Sequence, residues 1–428
     1  MNIYEVLLKD IKIPRFVKVH YDIKRGNIEN INNEFEKAVR ERNVLERINP
    51  GDKVAIATGS REISNIDKII RCLVEAIKER GGKPFIVPAM GSHGGATAEG
   101  QKEILAGYGI TSEAVGAPIK SCMDTVEIGT TLSGIPVHID KLANDADCII
   151  PVGRIKPHTD FRGVVESGLM KMLAIGLGKQ HGAAICHKYG FDVMAKNVME
   201  IAKVIIDKKN IAFGIGIIED AFHGTYKIVA VPGENIENEE PKLLIEAKSL
   251  VPRIPFSRVD ILYVDEIGKD ISGAGMDPNV TGRSAILGIS EPYIERIAVL
   301  DLSDKSHHNG CGIGNADVTT ERFFKKMSLE ISYPNAITSR DPIAVKIPMI
   351  MPNDRLALKM CIQISTKIDY EIGPRIVWIK NTLSMDTFHI SEALVPIAKN
   401  TPNLTIVSNL MEVVFDNDGN VSGWNELK

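Results

Sequence analysis

The sequence predicts an α/β protein built from two domains, and two observations carry this prediction. Short apolar runs are each followed by a glycine-rich loop and a stretch of helical periodicity, an order typical of a parallel sheet flanked by helices. The chain of 428 residues is also longer than one ordinary core supports. We therefore expect residues 1–252 to form the first domain and residues 253–407 the second, with segment 408–428 as a candidate addition to the first.

Composition and charge exclude several classes of protein. The formal net charge of −4 is too small to indicate nucleic acid or a membrane surface as a partner. No apolar stretch approaches the ~20 residues of a membrane span, and the first residues do not read as a secretory signal. The 6 cysteines form no CxxC pair, which fits a reducing compartment. We expect a cytoplasmic protein.

Three units of strand and loop lie in the first domain. They are Lys53–Ala57 with the loop Gly59-Ser60-Arg61, Phe85–Val87 with the loop that carries His93, and Asp147–Val152 with the loop that carries His158. Open α/β sheets bind ligands at the carboxyl ends of their strands. We therefore expect these three loops to meet at one site.

The loop Gly59-Ser60-Arg61 is a candidate anion site, because backbone N–H groups and a helix dipole favour negative charge where a strand enters a helix. Arg61 could hold a carboxylate or phosphate in bidentate fashion. The alternative is an arginine that caps a turn and pairs with a surface carboxylate.

His93 and His158 are candidate acid–base residues. His93 lies among glycines rather than apolar neighbours, and Pro157 fixes the turn that presents His158. Two acid–base groups that face one substrate from opposite sides are what a racemase or epimerase needs. Histidines with a purely structural role could occupy the same positions.

Lys171 and His187 follow in the glycine-rich segment after the third strand. Lys171 lies in an apolar run, which favours either a nucleophile with a lowered pKa or a lysine that extends from a helix end. His187 is a candidate metal ligand, but a single histidine cannot hold a metal. His181 and Cys186 could assist, although they show no familiar ligand spacing, and His307-His308-Asn309-Gly310-Cys311 is a weaker candidate that favours a polar turn.

The second domain offers one polar loop after the strand Val259–Val264. From loop position alone, Lys269, Asn279 and Arg283 are candidate substrate contacts. Polar loops from both domains that face each other would form an interdomain active-site cleft. The alternative is a long connection without such a role.

The residues Arg61, His93, His158, Lys171 and His187, in this order, resemble the lactate racemase family that uses a nickel-pincer nucleotide cofactor. The spacings from Arg61 to His93 and from Lys171 to His187 are close to the family pattern. The resemblance extends from about Gly51 to Asp220 and is only architectural in the second domain.

This resemblance implies two α/β domains with the cofactor in their cleft. The cofactor is a pyridinium-3-thioamide-5-thiocarboxylic acid mononucleotide, and Lys171 would be bonded to it. Its carbon and two sulfurs, together with His187, would hold Ni. His93 and His158 would be the paired acid–base residues, and Arg61 would bind the substrate carboxylate. Gly59 and Ser60, at the anion site, would bind the cofactor.

The implied reaction is racemisation or epimerisation at C2 of a lactate-like, malate-like or sugar-acid 2-hydroxy acid, by hydride transfer to the cofactor. The implied partners are this substrate and the cofactor-synthesis proteins. Two departures border the substrate: the loop with Asp160-Phe161-Arg162-Gly163 is a few residues longer than in the lactate enzymes, and Thr58 stands where an acidic residue is expected. The alternatives are a metal-dependent hydrolase or lyase using His187 and His181, and a non-catalytic protein that binds a nucleotide or organic acid.

Overall fold

The computed structural model describes residues 3–26, 28–60, 62–284 and 291–427. The strands are β1 (Phe16–Tyr21), β2 (Lys53–Thr58), β3 (Lys83–Pro88), β4 (Thr125–Thr130), β5 (Pro136–Asp140), β6 (Cys148–Arg154), β7 (Phe213–Glu219), β8 (Thr225–Pro232), β9 (Arg258–Ile267), β10 (Tyr293–Leu302), β11 (Val318–Thr320), β12 (Met349–Met351), β13 (Ile376–Ile379), β14 (Thr387–Ser391), β15 (Leu404–Ile406), β16 (Met411–Phe415) and β17 (Val421–Glu426).

The helices are α1 (Ile3–Leu7), α2 (Ile31–Glu41), α3 (Ile66–Glu79), α4 (Ala98–Gly107), α5 (Ser112–Val115), α6 (Lys141–Asn144), α7 (Leu169–Lys171), α8 (Lys179–Lys188), α9 (Met194–Lys208), α10 (Ile236–Leu250), α11 (Pro278–Thr281), α12 (Glu321–Lys326), α13 (Leu329–Ser339), α14 (Asp354–Gln363) and α15 (Val395–Ala398). A π-helical turn, Met172–Gly176, follows α7 directly. Among the described residues, no helix has the length and hydropathy needed to cross a membrane.

The predicted α/β class is confirmed, and the chain divides into two compact units. One unit comprises residues 24–251, and the other comprises residues 1–23 together with 252–428. We refer to them as the first and second unit.

The observed division differs from the predicted one at both ends of the chain. β1 pairs antiparallel with β14, so the first residues join the sheet of the second unit rather than the first domain. β16 also pairs with β1, and β17 pairs with β16, so segment 408–428 does not return to the first unit. Backbone pairing decides which sheet a terminal strand joins, and the alternation within one strand does not reveal its partner.

The sheet of the first unit has the strand order β3-β2-β6-β7-β8. Its first four strands are parallel and β8 is antiparallel to β7. Val54 and Ile56 pack into one apolar cluster, whereas Ala55 and Ala57 pack into another, because successive side chains of a strand point to opposite faces. Helices cover both faces, which explains the near-continuous apolar runs seen in the sequence.

The carboxyl ends of β3, β2 and β6 lie side by side. Thr58 at the end of β2 is in register with Pro88 of β3 and with Val152 of β6. The loops that follow these strands therefore leave the sheet at the same edge, as the sequence predicts.

The second unit is built on a ten-stranded sheet with the order β12-β11-β10-β9-β13-β14-β1-β16-β17, in which β15 also pairs with β1. Strands β9 to β13 pair in parallel, and β14, β1, β16 and β17 pair antiparallel. Apolar clusters lie on both faces, one containing Val264 and Val299 and the other Tyr263 and Trp378.

Candidate active site

The loop after β2 contacts the loop after β3. The Ser60 hydroxyl lies within hydrogen-bond distance of His93 Nδ1. The Tyr108 hydroxyl, from the end of α4, donates to the Ser60 carbonyl at 2.6 Å. The structure therefore brings together two of the residues that the sequence singled out, Ser60 and His93. Arg61 lies outside the described residues.

Thr58, at the carboxyl end of β2, replaces the acidic residue that the family pattern leads one to expect. Its side chain is buried, and its Oγ1 atom has no hydrogen-bond partner among the described residues. A buried hydroxyl without a partner is unusual in a folded protein and is compatible with a ligand group at this strand end.

The base of the Arg61 loop is tied to the neighbouring strand by Glu219 at the end of β7. Its carboxylate accepts the Ser64 N–H at 2.7 Å and pairs with Arg154 at the end of β6. Burial acts to raise the pKa of Glu219, but hydrogen bonding from His223 and the charge of Arg154 lower it overall. The carboxylate thus stays ionised and links two of the loops.

His158 follows β6 in a loop that the buried carboxylate of Glu166 organises. Glu166 accepts the His158 N–H at 2.7 Å and the ammonium of Lys248 at 2.7 Å. The guanidinium of Arg162 donates to the carbonyls of His158 and Phe161. The longer loop noted in the sequence is therefore a folded turn in which Arg162 and Glu166 are hydrogen-bonded.

The central contact of the site joins His158 to Lys171. His158 Nε2 and Lys171 Nζ lie 2.6 Å apart, and the imidazole stacks on Phe161 with ring centroids 4.3 Å apart. His158 Nδ1 accepts the Asp160 N–H at 2.9 Å. A neutral imidazole in this setting carries its proton on Nε2, which then faces Lys171. The contact is satisfied by an uncharged amine, the form in which a lysine can act as a nucleophile.

Lys171 ends the short helix α7, whose start is capped from another helix. Glu240, on α10, accepts the Met170 N–H at 2.8 Å. Its carboxyl group is completely buried, and burial raises its pKa to about 7. Gly168 makes room for it, because a Cβ at Gly168 would lie 2.2 Å from Glu240 Oε1.

His187 lies in the last turn of α8 and is half-buried, with its ring 5.7 Å from the ring of Phe191. Cys186 contacts Met194 Sδ instead, and burial raises the pKa of its thiol to about 12. His181 packs on His138 with ring centroids 4.2 Å apart. Among the described residues, no group of three His, Cys, Asp or Glu side chains could hold a metal ion.

The second-unit candidates all have partners within that unit. Lys269 Nζ donates to the Gly273 carbonyl at 2.5 Å, and Asn279 Nδ2 donates to Asp277 at 2.7 Å. Arg283 pairs with Asp317 at 2.5 Å and donates to three backbone carbonyls. These contacts of Arg283 are typical of an arginine that holds its own loop.

The histidines of the second-unit cluster do not converge on one point. His307 and His308 are exposed with positive φ, and His308 Nδ1 contacts the Lys326 carbonyl at 2.8 Å. This geometry agrees with the polar turn that the sequence predicts at residues 307–311.

Sequence reasoning missed the buried acidic residues behind the site. Glu166 binds the N–H of His158, eight residues before it, and Glu240 binds the N–H of Met170, 70 residues before it, and local sequence patterns do not reveal such pairings. A charged residue inside an otherwise apolar helical face, as Glu240 is in α10, is the one signal that could have drawn attention to it.

Comparisons with known proteins agree with this architecture. Residues 6–197 match the family model of the lactate racemase N-terminal domain. No curated protein matches the chain. Among solved structures, the chain is similar to the lactate racemase apoprotein from Thermoanaerobacterium thermosaccharolyticum, with a TM-score of 0.52 and 14% sequence identity, over 86% of this chain and 99% of that one.

At this identity the structural likeness shows the fold, whereas the family match covers the part of the chain that carries His93, His158, Lys171 and His187. The predicted resemblance is confirmed for residues 6–197, which match the N-terminal domain of the lactate racemase family, and the chain shares the fold of a lactate racemase apoprotein.

Proposed function

We propose that this protein is a racemase or epimerase that inverts C2 of a 2-hydroxy acid. The observation that carries the proposal is the 2.6 Å contact between His158 Nε2 and Lys171 Nζ, at the same sheet edge as the Ser60–His93 pair. The family match of residues 6–197 supports racemase chemistry in general. The substrate and the roles of single residues are our inference.

The side chains present fit the family's nickel-pincer nucleotide. Lys171 would supply the lone pair that covalent attachment requires, and His187 offers one imidazole. A metal ion coordinated by His187 needs further ligands from a bound group, and a pincer cofactor would provide them. The unpartnered Thr58 hydroxyl and the Gly59-Ser60 turn would face its polar parts. When bound, this cofactor would supply the hydride acceptor for C2.

The two histidines would move the proton of the substrate hydroxyl. His158 Nε2, which faces Lys171, would exchange the proton: with Nδ1 accepting the Asp160 N–H it carries a proton to donate, and to act as base it needs the tautomer with the proton on Nδ1, for which the Asp160 N–H contact must open. The Ser60 hydroxyl engages Nδ1 of His93, which assigns the same task to its Nε2. For one enantiomer the first histidine would act as base and the second as acid, and the roles would reverse for the other enantiomer.

Arg61 would hold the carboxylate so that C2 stays in reach of the cofactor. Lys269, Asn279 and Arg283 stay proposed contacts that rest on their place in the polar loop after β9. We further propose that the protein works in the cytoplasm and receives its cofactor from cofactor-synthesis proteins.

The first experiment is an intact mass and a peptide map around Lys171, with nickel quantified, on protein produced together with the cofactor-synthesis enzymes. We expect a mass increase on Lys171 and about one nickel per chain. An unmodified Lys171 without nickel, from cells shown to make the cofactor, would overturn the proposal and favour the hydrolase or the binding protein.

The second experiment tests the two histidines. His93→Ala and His158→Ala should each lower turnover in both directions by at least about 10²-fold while Lys171 stays modified. His20→Ala, an exposed histidine on β1, is the matched control and should keep wild-type rates. Wild-type turnover in either His93→Ala or His158→Ala would refute the assignment of two acid–base residues.

A further inference from the structure

We propose that Lys179 is a positioning residue, which acts through Gln101 to fix the His93 loop against the segment that carries Lys171 and His187. Its importance for catalysis rests on the proposed function of His93. The structural link itself can be tested without any turnover.

The Lys179 ammonium is completely buried and has a full set of partners. It donates to the Pro88 carbonyl at 2.5 Å and to Gln101 Oε1 at 3.0 Å, and it pairs with Asp140 Oδ2 at 3.0 Å. These three acceptors match the three N–H bonds of an ammonium group. Asp140 is also buried and caps α6 through Ala143 N–H at 2.9 Å. Asp140 therefore balances the positive charge of the buried Lys179 ammonium.

Gln101 connects Lys179 to the His93 loop. Its side chain is buried, and its Nε2 group donates to the carbonyls of Gly91 at 3.0 Å and His93 at 3.3 Å. Because lysine can only donate, Lys179 determines which end of the Gln101 amide is the oxygen. The NH2 end must then face the loop, so the lysine sets the direction of both loop contacts.

The backbone at Lys179 also indicates a function for its side chain. Lys179 has a φ of 54°, in the left-handed region that favours glycine. It stands where the chain leaves the π-helical turn after Lys171 and begins the helix that ends with His187. A strained position occupied by a buried lysine, next to Gly178, is explained if the ammonium is required there.

The link therefore connects three parts of the proposed site. Pro88 ends β3, Gln101 holds the loop after it, and Lys179 lies between the proposed attachment lysine and the proposed metal histidine. The alternative is a buried ion pair that contributes only to stability. Substitution of Gln101 distinguishes the positioning role from a role in stability alone, because Gln101 binds Lys179 on one side and the His93 loop on the other.

The decisive variant is Gln101→Glu. A carboxylate keeps the acceptor for Lys179 and loses both donors to the loop, so the carbonyls of Gly91 and His93 are left without them. Lys179→Met, which removes the cation, is a second variant. Lys102→Met is the matched control, since Lys102 follows Gln101 on the same helix and pairs with Glu99 at the surface.

The first readout is amide hydrogen exchange of residues 89–97 in protein without cofactor, measured against peptides from β2 and β6. The amides of Gly91, His93, Ala96 and Thr97 are hydrogen-bonded in the structure. In Gln101→Glu their exchange should be at least about tenfold faster, with the strand peptides unchanged. Wild-type exchange of this loop in folded Gln101→Glu would overturn the proposal.

The second readout is kinetic, on protein loaded with cofactor. Gln101→Glu should lower kcat by about 10- to 100-fold and leave KM within about twofold, since a displaced His93 impairs proton transfer rather than substrate binding. An unchanged kcat would also overturn the role in positioning. If the wild-type protein shows no turnover, the proposed function fails, whereas the exchange data still decide whether the link exists.

Discussion

Glu240 accepts the backbone N–H of Met170 at 2.8 Å, and Met170 is the residue before Lys171. One carboxyl group therefore holds the start of the helix that presents the proposed attachment lysine. Because that group is buried and its pKa is raised to about 7, its charge changes within the range in which the protein would work.

We expect Glu240→Gln to flatten the pH dependence of stability. The folded pKa lies above the ordinary 4.5, so ionisation costs more in the folded than in the unfolded state. The free energy of unfolding of the wild type should fall by up to about 3 kcal/mol as pH rises from 5 to 8. Urea unfolding at several pH values would measure this.

In Glu240→Gln, the decrease in the free energy of unfolding that the titration of Glu240 causes between pH 5 and 8 should disappear. Glu237→Gln, a partly exposed glutamate on the same helix that pairs with Lys203, should keep the wild-type slope. Parallel curves for wild type and Glu240→Gln would mean that Glu240 does not titrate as its burial implies.

Gly168→Ala should destabilise the protein by about 1–3 kcal/mol, because the new Cβ would lie 2.2 Å from Glu240 Oε1. Adding Glu240→Asp, a shorter acid, should recover part of this loss. Gly107→Ala is the control, since a Cβ there meets nothing within 4 Å. Equal unfolding midpoints for Gly168→Ala and Gly107→Ala would contradict the prediction.

Much of the first unit can be predicted from the sequence. The predicted strands Lys53–Ala57, Phe85–Val87 and Asp147–Val152 correspond to β2, β3 and β6. Each predicted strand end lies within two residues of the observed one. Strands buried on both faces are continuous apolar runs, and glycines mark where they stop. That is why the loops with His93 and His158 could be assigned to one edge.

The supporting contacts could not be predicted, for a physical reason. Met170 and Glu240 are 70 residues apart, and the partners of Lys179 come from three other segments of the chain. Burial of a charge depends on where its counter-charge or donor lies, and that is a property of the tertiary fold. For the same reason, loop position alone did not reveal that Arg283 is engaged by Asp317 and neighbouring carbonyls.

Glu166→Gln should loosen the His158 loop, because a neutral amide cannot pair with both Lys248 and Arg162. We expect a loss of about 1–3 kcal/mol in the free energy of unfolding. Turnover should fall by about tenfold or more through misplacement of His158. Glu234→Gln, which removes an exposed pair with Arg47, should change both quantities little. Equal behaviour of the two variants would show that Glu166 is not the organising residue.

Tryptophan fluorescence should report two titrations in the second unit. The only 2 tryptophans of the chain, Trp378 and Trp424, lie 4.9 Å apart by ring centroid. Trp378 Nε1 donates to Asp265 at 2.6 Å, and burial raises the pKa of Asp265 to about 6. Trp424 stacks on His389, whose pKa burial lowers to about 4.

Emission should therefore change near pH 6, as Asp265 ionises, and again near pH 4, as His389 becomes charged beside the Trp424 ring. In His389→Gln only the step near pH 6 should remain. Circular dichroism on the same samples separates these steps from acid unfolding. A single emission change that coincides with loss of circular dichroism would contradict the assignment.

The position of β1 sets the order in which the chain can assemble. Phe16 pairs with Ser391 and also with Met411, so a strand made early lies between strands made last. At about 5–20 residues per second, roughly 20–75 s pass on the ribosome before β14 follows β1. Residues 24–251 can complete their own sheet in that interval, whereas β1 keeps two unpaired edges until the second unit closes around it.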